Sequence, residues 1–242
     1  MTETEMLEQL QEEANERMRR NLRLAQKGVR FIDIRQAYLS AETEVGAGTV
    51  IYPCVVTEGR VKIGRDCVIG QNSRIVDSEI EDGVEIQSSV ILESSVGSGT
   101  KVGPFAYMRP GSRVGRDCKV GDFVEIKNST MGDGSKSSHL TYIGDADVGV
   151  GVNLGCGVVF VNYDGSAKHR STVADGAFIG CNTNLISPVE VGERAYIAAG
   201  STVTRNVPAG ALHVSRARGR NIEGWVDRRG LLNTKTNNGG LK

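Results

Sequence analysis

The residues best suited to chemistry surround one histidine near the middle of the chain. His139 lies in segment 135–142, and the candidate partners within 35 positions of it are Arg109, Lys127, Tyr142, Asn153 and Lys168. A neutral imidazole accepts a proton near neutral pH, and neighbouring cations hold an anionic substrate. A surface histidine among ordinary solvated charges is the commoner origin of such a spacing. The spacing alone therefore favours the surface interpretation and leaves the chemical one open.

A six-residue repeat supplies the elements that would position these side chains. Aliphatic residues fall six apart in two unbroken series: Val96, Val102, Met108, Val114, Val120 and Ile126, then Val173, Ile179, Leu185, Val191, Ile197 and Val203. A six-residue step scatters side chains around an α-helix. Glycine often follows the aliphatic residue, where a Cβ would clash. The pattern predicts an all-β fold, a parallel β-helix of hexapeptide repeats with about 18 residues in each of roughly nine coils.

The repeat is interrupted where binding residues are expected. The step shortens to five residues from Ile126 to Met131 and from Ile143 to Val148, and an insertion separates Phe160 from Val173. The insertion contains the run 162–165, Asn-Tyr-Asp-Gly. Loops on a rigid scaffold concentrate binding residues, but such a run also forms an ordinary turn. The insertion is consistent with either.

The flanks of the repeat differ from it. Residues 2–27 are expected to form a helix, because Thr2 and Glu5 fit a capping box and basic residues fill the last turns. Its narrow apolar stripe is expected to dock on its own domain or on a partner helix. We divide the chain into a linker-type helix (1–28), the β-helix domain (29–216) and a C-terminal arm (217–242), and we expect the arm to be disordered over 233–242.

Composition excludes several functional classes. The 29 basic and 29 acidic residues cancel, so no surface for nucleic acid or membrane is indicated. No apolar run is long enough to span a bilayer, and the acidic start is unlike a signal peptide. The five cysteines are odd in number and lack a C-x-x-C motif, which favours a reduced, cytoplasmic location. None of them is expected to be catalytic.

Longer runs resemble a specific family. They are 103–111 (GPFAYMRPG), 138–146 (SHLTYIGDA), 161–165 (VNYDG), 197–204 (IAAGSTVT) and 222–225 (IEGW). Over residues 28–226 the chain resembles the C-terminal half of the bifunctional N-acetylglucosamine-1-phosphate uridylyltransferase/glucosamine-1-phosphate acetyltransferase family. The resemblance implies a left-handed β-helix that forms a homotrimer, with sites between neighbouring subunits.

The resemblance also implies roles for individual residues. His139 would be the general base on the glucosamine amine. The implied sugar-phosphate ligands are Arg109, Lys127 and Lys168, with Tyr142 and Asn153 holding the sugar. The implied contacts to acetyl-coenzyme A are Asn162, Tyr163, Cys181, Ala199 and Arg216. Position 181 is serine in some relatives, and cysteine keeps a small polar side chain there.

The implied activity is transfer of an acetyl group from acetyl-coenzyme A to glucosamine-1-phosphate, without a metal. The product would feed UDP-N-acetylglucosamine and peptidoglycan precursor synthesis. The uridylyltransferase half of the family is missing, so we expect no nucleotidyl transfer, and a separate uridylyltransferase would be a partner.

Three alternatives stay open. One is a hexapeptide acyltransferase for another amino sugar. Another is a zinc enzyme of the carbonic anhydrase type, which would need His139, His169 and His213 to converge. The last is a catalytically silent trimeric scaffold.

Overall fold

The computed structural model describes residues 1–231, so the predicted disorder of 233–242 lies outside the described residues. The chain begins with helix α1 (Glu3–Gln26), whose N-cap Thr2 forms the predicted capping box with Glu5. Only its last turns pack on the rest of the chain: Asn21 is fully buried and donates two hydrogen bonds of 3.0 Å to the carbonyls of Ile34 and Ala37. No helix within residues 1–231 is long and apolar enough to cross a membrane.

Within residues 1–231, thirty short strands follow α1, with one 3₁₀ turn (Ile34–Gln36) between the first two. The first ten strands are β1 (Arg30–Phe31), β2 (Ala37–Tyr38), β3 (Glu44–Val45), β4 (Val50–Ile51), β5 (Val55–Glu58), β6 (Lys62–Ile63), β7 (Val68–Ile69), β8 (Arg74–Val76), β9 (Glu79–Ile80) and β10 (Glu85–Ile86). The next ten are β11 (Val90–Leu92), β12 (Ser95–Val96), β13 (Lys101–Val102), β14 (Tyr107–Met108), β15 (Arg113–Val114), β16 (Lys119–Asp122), β17 (Glu125–Lys127), β18 (Thr130–Met131), β19 (Lys136–His139) and β20 (Tyr142–Gly144).

The last ten strands complete the repeat. They are β21 (Ala146–Val148), β22 (Asn153–Leu154), β23 (Val159–Val161), β24 (Ser171–Val173), β25 (Phe178–Ile179), β26 (Asn184–Ile186), β27 (Glu190–Val191), β28 (Tyr196–Ile197), β29 (Thr202–Val203) and β30 (Leu212–His213). A short helix α2 (Trp225–Arg228) lies in the C-terminal arm.

The strands form three parallel sheets, in which each strand pairs with the third strand before and after it along most of the chain. The first sheet runs from β1 through β4 and β7 to β28 and β30, the second from β2 to β29 and the third from β3 to β27, with eleven, ten and nine strands. Three strands therefore make one coil of a three-sided prism. The predicted hexapeptide β-helix with an N-terminal helix is confirmed, and the left-handed sense of the coil remains a prediction.

The inward side chains fill a narrow aliphatic core. Every residue of the two six-residue series is at most 3% exposed. Burial of each such Val, Ile or Leu side chain contributes roughly 1.5–3 kcal/mol relative to exposure. The five-residue steps are accommodated as shorter coils, since Lys119 pairs with Lys136 and Lys136 with Asn153, 17 residues apart in each case. The insertion lengthens the next coil, in which Asn153 pairs with Phe178.

Close stacking of the coils explains the glycines that follow the aliphatic residues. A Cβ on Gly97 would lie 2.5 Å from the carbonyl carbon of Gly115 in the next coil. Two cysteines occupy equivalent core positions, as their shared repeat slot predicts: the Cys67 thiol donates to the carbonyl of Glu81 and the Cys118 thiol to that of Gly132, both at 3.1 Å. All five cysteines are free.

Candidate active site

The second sheet carries the largest group of the predicted site residues. Arg109 directly follows β14, Lys127 ends β17 and Tyr142 begins β20, and these three strands are neighbours in the sheet. Neighbouring strands lie about 4.8 Å apart, so residues one coil apart in sequence become neighbours in space. The Arg109 guanidinium also forms a half-exposed salt bridge of 2.9 Å with Glu125.

A buried carboxylate organises this group. Asp145 accepts hydrogen bonds from Lys127 Nζ at 3.1 Å, from Asn128 Nδ2 at 2.6 Å and from Asn162 Nδ2 at 2.5 Å. Its side chain is 9% exposed and that of Lys127 is 16% exposed. The Asn162 amide also lies 3.4 Å from the Tyr142 hydroxyl. Asp145 therefore connects a predicted phosphate ligand with a residue of the insertion.

Both members of the Asp145–Lys127 pair stay charged. Burial alone would raise the pKa of Asp145, but hydrogen bonds from Asn128, Lys127 and Asn162 outweigh it and hold the pKa below its ordinary value. Burial likewise acts to lower the pKa of Lys127, yet the hydrogen bond to Asp145 leaves that pKa raised. The Lys127 ammonium is thus fixed in position as a cation.

The insertion folds back so that Lys168 reaches the same place. Tyr163 and Lys168 form an antiparallel bridge, and Asp164 accepts the backbone N–H groups of Ser166 and Ala167 at 2.8 and 2.7 Å. The pKa of Lys168 is lowered, mainly because the Lys127 ammonium lies next to it and, to a smaller extent, because Arg109 is near. Within residues 1–231 the Lys168 ammonium forms no salt bridge.

The electrostatics of the group favour an anion. Arg109, Lys127 and Lys168 supply three positive charges, and Glu125 and Asp145 supply two negative ones. Like charges that are held together are destabilising unless something compensates them. A phosphate offers several acceptor oxygens to Lys and Arg donors at once. The cluster can therefore bind a phosphorylated small molecule.

His139 lies at the edge between the first and second sheets, paired with an acidic residue of the preceding coil. Its Nδ1 is 2.5 Å from Asp122 Oδ1, and the backbones of Asp122 and His139 are in register on β16 and β19. The hydrogen bond lowers the pKa of Asp122, which stays ionised. An ionised carboxylate accepts from Nδ1–H, so the Nε2 lone pair is available as a base.

The other predicted residues lie on different parts of the prism. Asn153 begins β22 of the first sheet, whereas Cys181 and Ala199 are exposed at the edge that follows β25 and β28. Tyr163 is 55% exposed and donates to the carbonyl of Gly165 at 2.7 Å, and Arg216 follows β30. The structure thus brings the phosphate candidates and Asn162 together but does not bring Asn153 into that cluster.

The three histidines do not converge on one point. His139 bonds to Asp122 and His169 to Asp164, at 2.5 and 2.6 Å. In the described part of the chain, no group of three or more His, Cys, Asp or Glu residues is placed to hold a metal ion. The zinc-enzyme alternative therefore has no ligand set there.

Known proteins share both the repeat and the sequence. The family model of the bacterial transferase hexapeptide, six repeats, matches residues 93–128 and 170–205. The bifunctional protein GlmU of Clostridium beijerinckii is 56% identical over 211 residues, which are 87% of this chain and 46% of that protein. The bifunctional protein GlmU of Clostridioides difficile is 53% identical over 218 residues, 89% of this chain and 48% of that protein.

The chain is a hexapeptide-repeat homologue of GlmU. It spans about half the length of the curated relatives it matches. A solved structure, the UDP-N-acetylglucosamine acyltransferase of Francisella novicida, is similar in fold at a TM-score of 0.55 and 20% identity, covering 81% of this chain and 72% of that one. This last likeness supports the β-helix fold alone.

Two acidic residues of the candidate site, Asp122 and Asp145, do not belong to the predicted set, although each directly contacts a residue that does. A usable signal was present, because Asp122 precedes His139 by 17 positions and Asp145 follows Lys127 by 18, the length of one coil. Asn128 carries the same signal, because it precedes Asp145 by 17 positions and directly follows β17 as Asp145 follows β20.

Proposed function

We propose that the chain is a glucosamine-1-phosphate N-acetyltransferase that uses acetyl-coenzyme A. The observation that carries the proposal is the cluster of Arg109, Lys127 and Lys168, built around a buried carboxylate on the sheet next to His139. The similarity to GlmU over most of the chain supports the same activity. An uncharged acceptor would have no use for these cations, so we assign the acceptor's phosphate to them.

In the proposed reaction, His139 acts as the general base. Its Nε2 takes a proton from the acceptor amine as the amine nitrogen attacks the thioester carbonyl. The tetrahedral intermediate collapses, the C–S bond breaks and the proton passes from the imidazolium to the departing thiolate. No covalent enzyme intermediate is needed, because both substrates are bound at once. Positioned general bases contribute about 10²–10⁴-fold to rate.

Other side chains would orient the two substrates. Tyr142 borders the cation cluster and Asn162 is held between Tyr142 and Asp145, so we place the sugar ring beside Tyr142 and the acetyl group near Asn162. Cys181 and Ala199 follow one another along the prism edge, and the N–H of Gly200 donates to the Cys181 carbonyl at 2.8 Å. We assign this edge, with Tyr163 and Arg216, to the coenzyme A arm.

We further propose that the working unit is a homotrimer with sites shared between subunits. Asn153 lies on the first sheet and the phosphate cluster on the second, and no contact within one chain joins Asn153 to the cluster in the described residues. The face of a second copy would bring Asn153 to the cluster. Sedimentation should give three times the mass of one chain, and a monomer with full activity would contradict the shared site.

The direct test is thiol release from acetyl-coenzyme A with glucosamine-1-phosphate as the acceptor. Free glucosamine and serine serve as control acceptors. Rapid release that depends on the sugar phosphate supports the proposal. Equal rates with free glucosamine would contradict the phosphate assignment, and release with none of the acceptors, from folded protein, would favour a scaffold.

A further inference from the structure

Strands β16 and β19 are built to hold an acidic residue against His139. Each is four residues long, whereas most strands of the first sheet have two, and the two extra residues end in Asp122 and His139. The extension depends on Gly121, because a Cβ there would lie 2.0 Å from the carbonyl oxygen of Ser138. With any other residue at 121, the two strands could not run side by side as far as Asp122.

The backbone is fixed on the far side of the pair as well. Phe123 and Leu140 follow Asp122 and His139, and both take left-handed conformations with φ of 55° and 48°. The N–H of Leu140 donates to the carbonyl of Asp122 at 2.9 Å. Single non-glycine residues with such φ values carry strain that the surrounding structure must hold. Strands β16 and β19 therefore end in matching turns, directly after Asp122 and His139.

We propose that Asp122 is the positioning residue for His139 in acetyl transfer, an inference that rests on the proposed function. Its carboxylate accepts the Nδ1–H of the neutral imidazole and so selects the tautomer whose Nε2 can take the amine proton. When that proton arrives, the imidazolium forms next to a negative charge. Asp122 touches neither substrate and acts only through His139. The one other charged group that acts on Asp122 from these strands is the more distant Lys119.

The first test separates positioning from binding. Asp122→Asn keeps the shape but removes the charge, and its amide can donate to Nδ1 and favour the wrong tautomer. We expect kcat to fall about 10- to 100-fold, less than the loss on removing the base itself, with KM for glucosamine-1-phosphate within about twofold. Glu79→Gln, which removes a carboxylate from the exposed salt bridge to Lys62 on the third sheet, is the matched control and should leave kcat unchanged.

Two further measurements complete the test. A double variant controls for effects on folding, and a spectroscopic measurement needs no substrate. The double variant His139→Ala/Asp122→Asn should be no slower than His139→Ala, because Asp122 has nothing left to position. Imidazole ¹⁵N shifts from the three histidines should report the Nδ1–H tautomer for His139, and the Asp122→Asn variant should change it. Multiplicative rate losses, an unchanged kcat or an unchanged tautomer would each overturn the proposal. If the unaltered protein released no thiol, the proposed function would fail, while the ¹⁵N shifts would still test the pairing.

Discussion

Replacement of Lys168 by alanine should separate substrate binding from stability in the phosphate cluster. The Lys168 ammonium forms no salt bridge in the described part of the chain and lies beside Lys127, so its removal costs the folded state no ion pair. It would nevertheless remove one charge-assisted contact to the phosphate. We therefore expect KM for glucosamine-1-phosphate to rise by about 10- to 100-fold, with a melting temperature that does not fall, because a like charge beside Lys127 is removed.

Lys127→Ala should behave differently because it leaves Asp145 buried without its cation. Loss of one partner of a fully buried ion pair costs about 3–5 kcal/mol. Asp145 keeps two amide donors and Lys127 is 16% exposed, so a value of about 2 kcal/mol is expected here. That corresponds to a fall in melting temperature of about 4–8 °C for a chain of this size. KM for the phosphorylated acceptor should rise as well.

The assay combines thermal melts with kinetics on two acceptors. Both variants should leave KM for free glucosamine nearly unchanged, because that acceptor has no phosphate. Lys62→Ala is the control, because it removes an exposed lysine from the salt bridge with Glu79. It should alter neither the melting temperature nor KM for glucosamine-1-phosphate. An equal loss of stability in Lys168→Ala and Lys127→Ala would refute the reasoning, as would an unchanged KM for glucosamine-1-phosphate in Lys168→Ala.

Three other changes test the remaining parts of the structure. His139→Ala should lower kcat by about 10²–10⁴-fold without altering thermal melts, because the imidazole is more than half exposed; an unchanged rate would contradict its role as base. Asp145→Asn should destabilise the protein by about 2 kcal/mol at pH 7. The pKa of Asp145 is depressed in the folded state, so its contribution is complete above about pH 4 and is lost as the pH falls further; urea unfolding should show the variant and the unaltered protein converging in acid, and a constant difference would contradict this. Gly97→Ala should destabilise the coil by about 1–3 kcal/mol, whereas Gly219→Ala, with no atom within 4 Å of the new Cβ, should not; equal melts would rule out close stacking as the reason for glycine at 97.

The coil could be predicted from the sequence because the residues that repeat every six positions are the ones buried in its core. Val96, Val102 and Met108 are inward in the structure for the same reason that they fall six apart in the chain. The proximity of Arg109 and Lys127 follows from the same repeat, because the two residues are 18 positions apart, the length of one regular coil. The capping box of α1 could also be predicted from the sequence, because Thr2 and Glu5 contact each other within a single helical turn.

The complete cation cluster could not be predicted in the same way. Coil spacing stacks Asn128, Asp145 and Asn162 at 17-residue intervals, but Lys168 reaches the cluster through the insertion, whose path is not determined by the repeat. Tyr163 illustrates the same limit, since its hydroxyl bonds to Gly165 within the insertion itself. The charges in the sequence were visible, but which carboxylate neutralises which cation is decided by tertiary contacts.

Stacked coils and one insertion together form the candidate site. A regular coil stacks like residues on like, which is suitable for a core of Val and Ile but would place identical charges in rows. A single 17-residue coil brings Asp122 opposite His139 on the first sheet and Glu125 opposite Tyr142 on the second. The next coil places Asn162 beside Asp145, and the insertion then adds Lys168, whose placement no regular coil supplies. The stacked coils position the backbone of the base and of Arg109 and Lys127, and the insertion completes the group with Lys168.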